Sequence, residues 1–207
     1  MAYFTFILYG TYRFDADVII NKILSPKNAY QIGCYHCYGE DYFLGYLKGG
    51  FLFSPNHPTA KELEKAEVFG REVIKNFKDN LPVKPDDKQK LKFINRIQRF
   101  SVNQWLSKNI FSKSLKVNRN KCNSCGICME ECPTKNISMD KDEYPAWGSN
   151  CILCLYCGLK CPEEAITTPI DWKLLKPFLN YNVHKALRDP EIDNVPIKLN
   201  KGQVERI

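Results

Sequence analysis

Eight of the chain's ten cysteines lie within forty residues, in two runs of one pattern. The first run is Cys122, Cys125, Cys128 and Cys132, followed by Pro133; the second is Cys151, Cys154, Cys157 and Cys161, followed by Pro162. At an offset of 29 residues the two superpose, and Ile137 falls on Ile166. Any fold for this chain has to bring these thiols together, because so many cysteines at fixed short spacing form either disulfides or a metal centre.

Disulfides belong to oxidising compartments and small exported scaffolds, and nothing in the sequence indicates export. The start of the chain, apolar through Tyr9, lacks the basic region and cleavage site of a secretory signal. No apolar run is long enough to cross a bilayer. A cytoplasmic protein is expected, with the cysteines on metal. Structural zinc usually takes two pairs of ligands, which suits runs of three cysteines and a Cys-Pro poorly. The spacing C-x2-C-x2-C-x3-C-P is instead that of ligands to two [4Fe-4S] clusters, with the fourth cysteine of each run serving the other run's cluster. Cys122, Cys125, Cys128 and Cys161 are thus assigned to one cluster, and Cys151, Cys154, Cys157 and Cys132 to the second. Gly126 and Gly158 are expected to allow tight backbone beside them, and Ile127, Ile152, Leu153, Leu155 and Ile166 to shield them from water.

Charge is unevenly distributed. The net +7 of the chain resides mostly in residues 79–120, with ten basic and three acidic groups, whereas residues 121–168 carry four and seven. Each cluster with its thiolates adds about −2, which further weakens a case for nucleic acid built on the basic balance. No nucleic acid is expected. Leu91, Ile94, Ile97, Phe100, Trp105, Leu106, Ile110 and Phe111 recur among lysines and arginines at helical spacing. They predict a basic amphipathic helix within 79–118 that packs on the acidic metal module in preference to a membrane surface.

The N-terminal residues read as α/β. Ala2–Tyr9 is a buried strand by its aromatic and β-branched content, and residues 14–24 form a helix stopped by Ser25-Pro26. A second strand, parallel to the first, is expected over 29–35, and a long irregular loop over 36–58. Thr59 and Glu62 make a capping box for a helix reaching about Lys78. Four segments result: 1–78, 79–118, 119–170 and a proline-interrupted tail, 171–207, with one short helix.

Residues 119–170 resemble the bacterial two-cluster ferredoxins, which implies a duplicated βαβ-type fold and low-potential single-electron transfer. The strand and turn FTFILYGTYR, the helix ELEKAEVFGREVIKNF and the lead PAWGSNC resemble proteins in which a flavodoxin-like domain precedes such a ferredoxin. That resemblance implies flavin mononucleotide against the loop after the first strand, with Tyr12 as a contact. The Ser/Thr- and Gly-rich phosphate loop of flavodoxins has no counterpart. The fold class expected is therefore α+β, a duplicated two-cluster ferredoxin fold joined through the basic helix to a partial flavodoxin-like unit, read as degenerate or truncated in preference to one capped by the basic helix or completed by a homo-oligomer or a complementing chain.

Cys34 and Cys37 could form a redox dithiol, or a metal half-site with His36. Residues i and i+3 of a strand face opposite ways, so a structural role is expected for both. No function is assigned to His57 or His184, and Trp147 is expected to pack beside the second cluster. The functional expectation is an electron carrier serving redox partner proteins; a flavin-dependent oxidoreductase fed by the clusters and a redox-sensing interaction protein are the alternatives.

Overall fold

A computed structural model describes residues 1–83 and 104–207, so most of the expected basic helix lies outside the described residues. The described residues form two compact units, one of residues 1–41 and 53–83, the other of Tyr42–Leu52 and residues 104–207. Both mix helix and strand, in keeping with an α+β chain. Among the described residues, no helix is long and apolar enough to cross a membrane.

In the first unit, β1 (Ala2–Tyr9) pairs in parallel with β2 (Tyr30–Tyr38), as the intervening helix α1 (Ala16–Leu24) requires. An irregularity at Tyr3/Phe4 sets the register so that Thr5 lies opposite Cys34 and Ile7 opposite His36. The alternation of side chains then sorts the sheet into two faces. Tyr3 donates from its hydroxyl to Asn21 of α1 at 2.7 Å, which places Tyr3, Thr5, Cys34 and His36 under α1.

The opposite face receives α3 (Ala60–Lys78), which starts at the expected capping box: Thr59 and Glu62 each accept from the other's backbone N–H. Phe69 and Val73 of α3 are buried on Ile32 of β2. Gly33 makes this approach possible, since a Cβ there would come within 2.7 Å of Val73 and 2.9 Å of Phe69. The sequence reading of a buried β1 needs correction. Phe4, Phe6 and Leu8 are 55%, 47% and 59% exposed, because β1 pairs with β2 alone among the described residues and α3 is centred on β2.

The expected loop over 36–58 is also corrected. The chain makes α2 (Leu44–Lys48) and β3 (Phe51–Phe53), and the short α2 buries Leu44 and Leu47. With Leu52 these side chains join Leu115, Leu155, Leu159, Ile170 and Ile197 in the core of the second unit. Packing therefore divides the chain differently from the sequence segments: Tyr42–Leu52 leave the N-terminal unit because their apolar partners are in the other.

The second unit begins with α4, a distorted helix of Gln104–Leu106, a π turn Ser107–Phe111 and a 3-10 turn Ser112–Ser114. Two antiparallel pairs follow. β4 (Lys116–Val117) pairs with β7 (Ile166–Thr167), and β5 (Ile137–Met139) with β6 (Pro145–Trp147). Between them lie α5 (Ile127–Glu130) and α6 (Tyr156–Lys160).

The tail holds more structure than its prolines suggest. α7 (Lys176–Leu187) is followed by the hairpin β8 (Asn194–Asn200) and β9 (Gln203–Arg206), turning at Lys201-Gly202, both with positive φ. That is the backbone a two-residue hairpin needs. β8 lies between β3 and β9, and Ile197 places its side chain in the core.

Candidate metal centre

The 29-residue offset that superposes the cysteines also superposes the structure around them. It carries β4 onto the start of β6, α5 onto α6 and β5 onto β7. It also carries residues of positive φ onto each other: Ser124 (57°) onto Leu153 (56°), Gly126 (75°) onto Leu155 (61°), and Lys135 (49°) onto Glu164 (47°). L-residues adopt this backbone only at a cost, so its recurrence in non-glycine residues reflects a common constraint on the chain beside the cysteines. The last cysteine of each run is held alike. Asn136 donates its N–H to the Cys132 sulfur and Ala165 donates to that of Cys161, each at 3.3 Å.

Two small cavities of similar size result, each of about 20 Å³. Cys122, Cys125, Cys128 and Cys161 line the first, while Cys151, Cys154, Cys157 and Cys132 line the second. Each cavity therefore combines three cysteines of one run with the last of the other. Met139, Pro145, Ile127 and Ile166 wall the first; Leu115, Ile137, Trp147 and Leu155 wall the second. Of the expected shields, Leu155 and Ile166 are 6% and 5% exposed, but Ile152 is 61% exposed. Gly158 has a different use from the one expected. A Cβ there would meet Leu44 and Thr168 at 3.1 Å, so it lets α6 lie against α2.

The thiols respond to this crowding. Burial pushes Cys128 up to about 11, and neighbouring Cys161, Cys125 and Cys122 add to the shift. Burial likewise pushes Cys157 up to about 12, against a pull downward from the Trp147 indole and the Gly158 N–H. Cys151 is raised by burial, then by Cys154 and Cys132, which oppose a lowering by the Leu153 N–H. Burial also works upward on Cys132, but donors from Asn136, Thr134 and Ile137 outweigh it and leave this thiol below its ordinary value. Crowded thiols of this kind become thiolates together only when a cation compensates their charge.

The second cavity shows the further mark of a site built for a sulfur-rich group. On its wall the buried Asn136 side-chain NH2 has no hydrogen-bond acceptor among the described residues, and the buried Trp147 indole N–H is turned toward the Cys157 sulfur. Buried donors are rarely left without an acceptor. Sulfides and thiolate sulfurs filling the cavity would accept from them, so the residues present fit a [4Fe-4S] cluster.

The candidate flavin contact stands differently. Tyr12 is half-buried, with its ring 6.0 Å from that of Phe14. The turn after β1 is occupied by an acid: the Thr11 N–H and hydroxyl both donate to Asp41, at 2.8 and 2.5 Å. A carboxylate held there repels a phosphate, so this turn is no phosphate cradle.

His57, which received no function, donates from Nδ1–H to the capping Glu62 carboxylate at 2.8 Å. Cys34 and Cys37 are not brought together as a dithiol. Cys37 is buried with its thiol toward the Tyr38 carbonyl, whereas Cys34 meets His36 and Asp17. Asp17 had no signal in the sequence, as it is distant from β2 along the chain and is brought to it only by the packing of α1.

Residues 115–138 match the family of 4Fe-4S binding domains. The chain thus carries a domain for at least one [4Fe-4S] cluster, and the match contains the whole first cysteine run. A polyferredoxin-like protein of Methanocaldococcus jannaschii is 43% identical over 54 residues, which cover 26% of this chain. The matched part spans 23% of that relative's length. No solved structure matches the chain.

Proposed function

We propose that this chain is an electron-transfer protein with two [4Fe-4S] clusters in a duplicated ferredoxin-like module, and that it passes single electrons between redox partner proteins. The observation that carries this reading is the pair of cavities, each walled by three cysteines of one run and the last of the other. When bound, such clusters supply one-electron chemistry at low potential. Cys122, Cys125, Cys128 and Cys161 hold the first, and Cys151, Cys154, Cys157 and Cys132 the second. Each cluster then has four protein thiolates and no open iron for a substrate, so the reading is of a carrier, not a catalyst. The apolar walls exclude water, while the backbone N–H groups of Asn136 and Ala165 orient the crossing cysteines. The first unit, with parallel strands and a helix on each face, is read as a partial flavodoxin-like unit.

Anaerobically prepared protein is expected to contain about eight irons and eight sulfides per chain. It should bleach on one-electron reduction. Zinc in place of iron, or about four irons from careful reconstitution, would reject the two-cluster reading.

Trp147→Phe is expected to keep the iron content and to move one reduction potential negative by roughly tens of millivolts, because a hydrogen bond to sulfur stabilises the more negative reduced state. The measurement is a spectroelectrochemical titration. An unchanged potential would mean that the indole packs without donating to the cluster.

A further inference from the structure

We propose that Asp17, Cys34 and His36 form a separate site for a zinc-class divalent metal, with three protein ligands and an open fourth position. The site lies in the first unit, under α1. Cys34 and His36, two apart on β2, share the face that α1 covers, and α1 brings Asp17 to them.

The Cys34 sulfur is 3.6 Å from His36 Nε2 and 3.8 Å from an Asp17 carboxylate oxygen, and Nε2 is 3.9 Å from that oxygen. For tetrahedral zinc with Zn–S of about 2.3 Å and Zn–N or Zn–O of about 2.0–2.1 Å, neighbouring ligand atoms lie roughly 3.3–3.6 Å apart. The S–N separation already matches such a metal triangle, S–O is wider by a few tenths of an ångström, and N–O is wider by about half an ångström. The N–O pair stands too far apart for a direct hydrogen bond, and the two pairs with sulfur are long, weak contacts to the thiol.

A second observation is the state of Asp17. Its side chain is only 4% exposed, and a thiol and an imidazole at these long distances are the partners found for it. A buried carboxylate without a close donor is costly. Burial pushes the Cys34 thiol up, and Asp17 pushes it further, so the pair gains from a dication that one thiolate and one carboxylate neutralise. Thr5, opposite Cys34, supports the sulfur. Gln31 donates to the Thr5 oxygen at 2.9 Å, which leaves the hydroxyl proton for Cys34.

Arg13 sets the condition for loading. Its Nη1 is 2.8 Å from His36 Nδ1, and a guanidinium only donates, so without metal Nδ1 accepts and Nε2 carries the ring proton. That proton points into the triangle. When the metal enters, the ring proton is transferred to Nδ1, Arg13 releases the ring, and the thiol proton leaves to solvent: one proton is released per metal bound.

The test uses the full chain with its clusters in place, incubated anaerobically with equimolar zinc and then desalted. One zinc per chain is expected, with a zinc-edge absorption spectrum showing one sulfur among nitrogen and oxygen neighbours. Cys34→Ser and Asp17→Asn should each weaken zinc binding by more than the roughly tenfold typical of losing one supporting hydrogen bond, with iron content and circular dichroism unchanged. Arg13→Gln should strengthen it, since an amide oxygen accepts from Nδ1–H. The proposal is overturned if no zinc is retained by iron-replete protein, if Cys34→Ser retains it equally, or if the zinc has four sulfur neighbours, which would place it among the cluster cysteines. A variant that loses iron or helical signal is replaced by His36→Gln, read in the same way.

Discussion

Cys132→Ala is expected to eliminate the cluster built by the other cysteine run. Iron should fall from about eight to about four per chain, since this cysteine lines the cavity of Cys151, Cys154 and Cys157. Double variants separate the crossed arrangement from the uncrossed one. With crossed ligands, adding Cys151→Ala to Cys132→Ala removes little further iron, because both serve one cluster. Adding Cys128→Ala removes the rest. With uncrossed ligands the two doubles exchange outcomes, and that exchange would defeat the assignment. The effect is large because a cluster short of a thiolate loses both a bond and the neutralisation of its iron, whereas the first cavity keeps its four cysteines. The Cys132 sulfur is also prepared for its part, since the Asn136 N–H donates to it at 3.3 Å and its thiol is held below its ordinary value.

The other large effect lies far from the cysteines in the chain. Leu47→Ala is expected to destabilise the cluster-bearing unit by about 3 kcal/mol, the usual cost of emptying a leucine site that cannot collapse. Leu47 is 1% exposed and packs in the core that contains Leu155 and Leu159, which flank Cys157. Unfolding with a bound cofactor is not two-state, so the proper readout is the denaturant concentration at which cluster absorbance is lost. It should drop clearly for Leu47→Ala and stay within about 0.5 kcal/mol of wild type for Leu63→Ala, whose side chain is 56% exposed on α3. Equal behaviour of the two would show that Tyr42–Leu52 are an incidental attachment and not part of the unit's core.

The legible elements of the fold were those whose signal is local. The Thr59/Glu62 box identified the start of α3 to the residue, and the aromatic run Ala2–Tyr9 identified β1. The run could not disclose that Phe4, Phe6 and Leu8 would be exposed, for that depends on which strands pair with β1. Gly45, Gly49 and Gly50 made residues 36–58 look like loop, and the helical pattern of Leu44 and Leu47 is too short to register against them. In the tail, Pro196 concealed the alternation of Val195, Ile197 and Leu199, a strand whose interior side is defined only by the core it enters.

For the metal chemistry the division is similar. The spacing of the eight cysteines, by itself, pointed to [4Fe-4S] chemistry and to the grouping in which the last cysteine of each run lines a cavity with the other run's three. Ligand spacing is a property of short covalent chain, and two intervening residues limit where the next thiol can reach. What the tertiary structure alone decided are the groups that close each site from elsewhere: the donors of Trp147 and Asn136 at the second cavity, Leu44 and Leu47 beneath α6, and Asp17 opposite Cys34 and His36. These arrive by packing of elements distant in sequence. Their positions follow from which apolar faces must be buried together, and a pattern read along the chain does not contain that information.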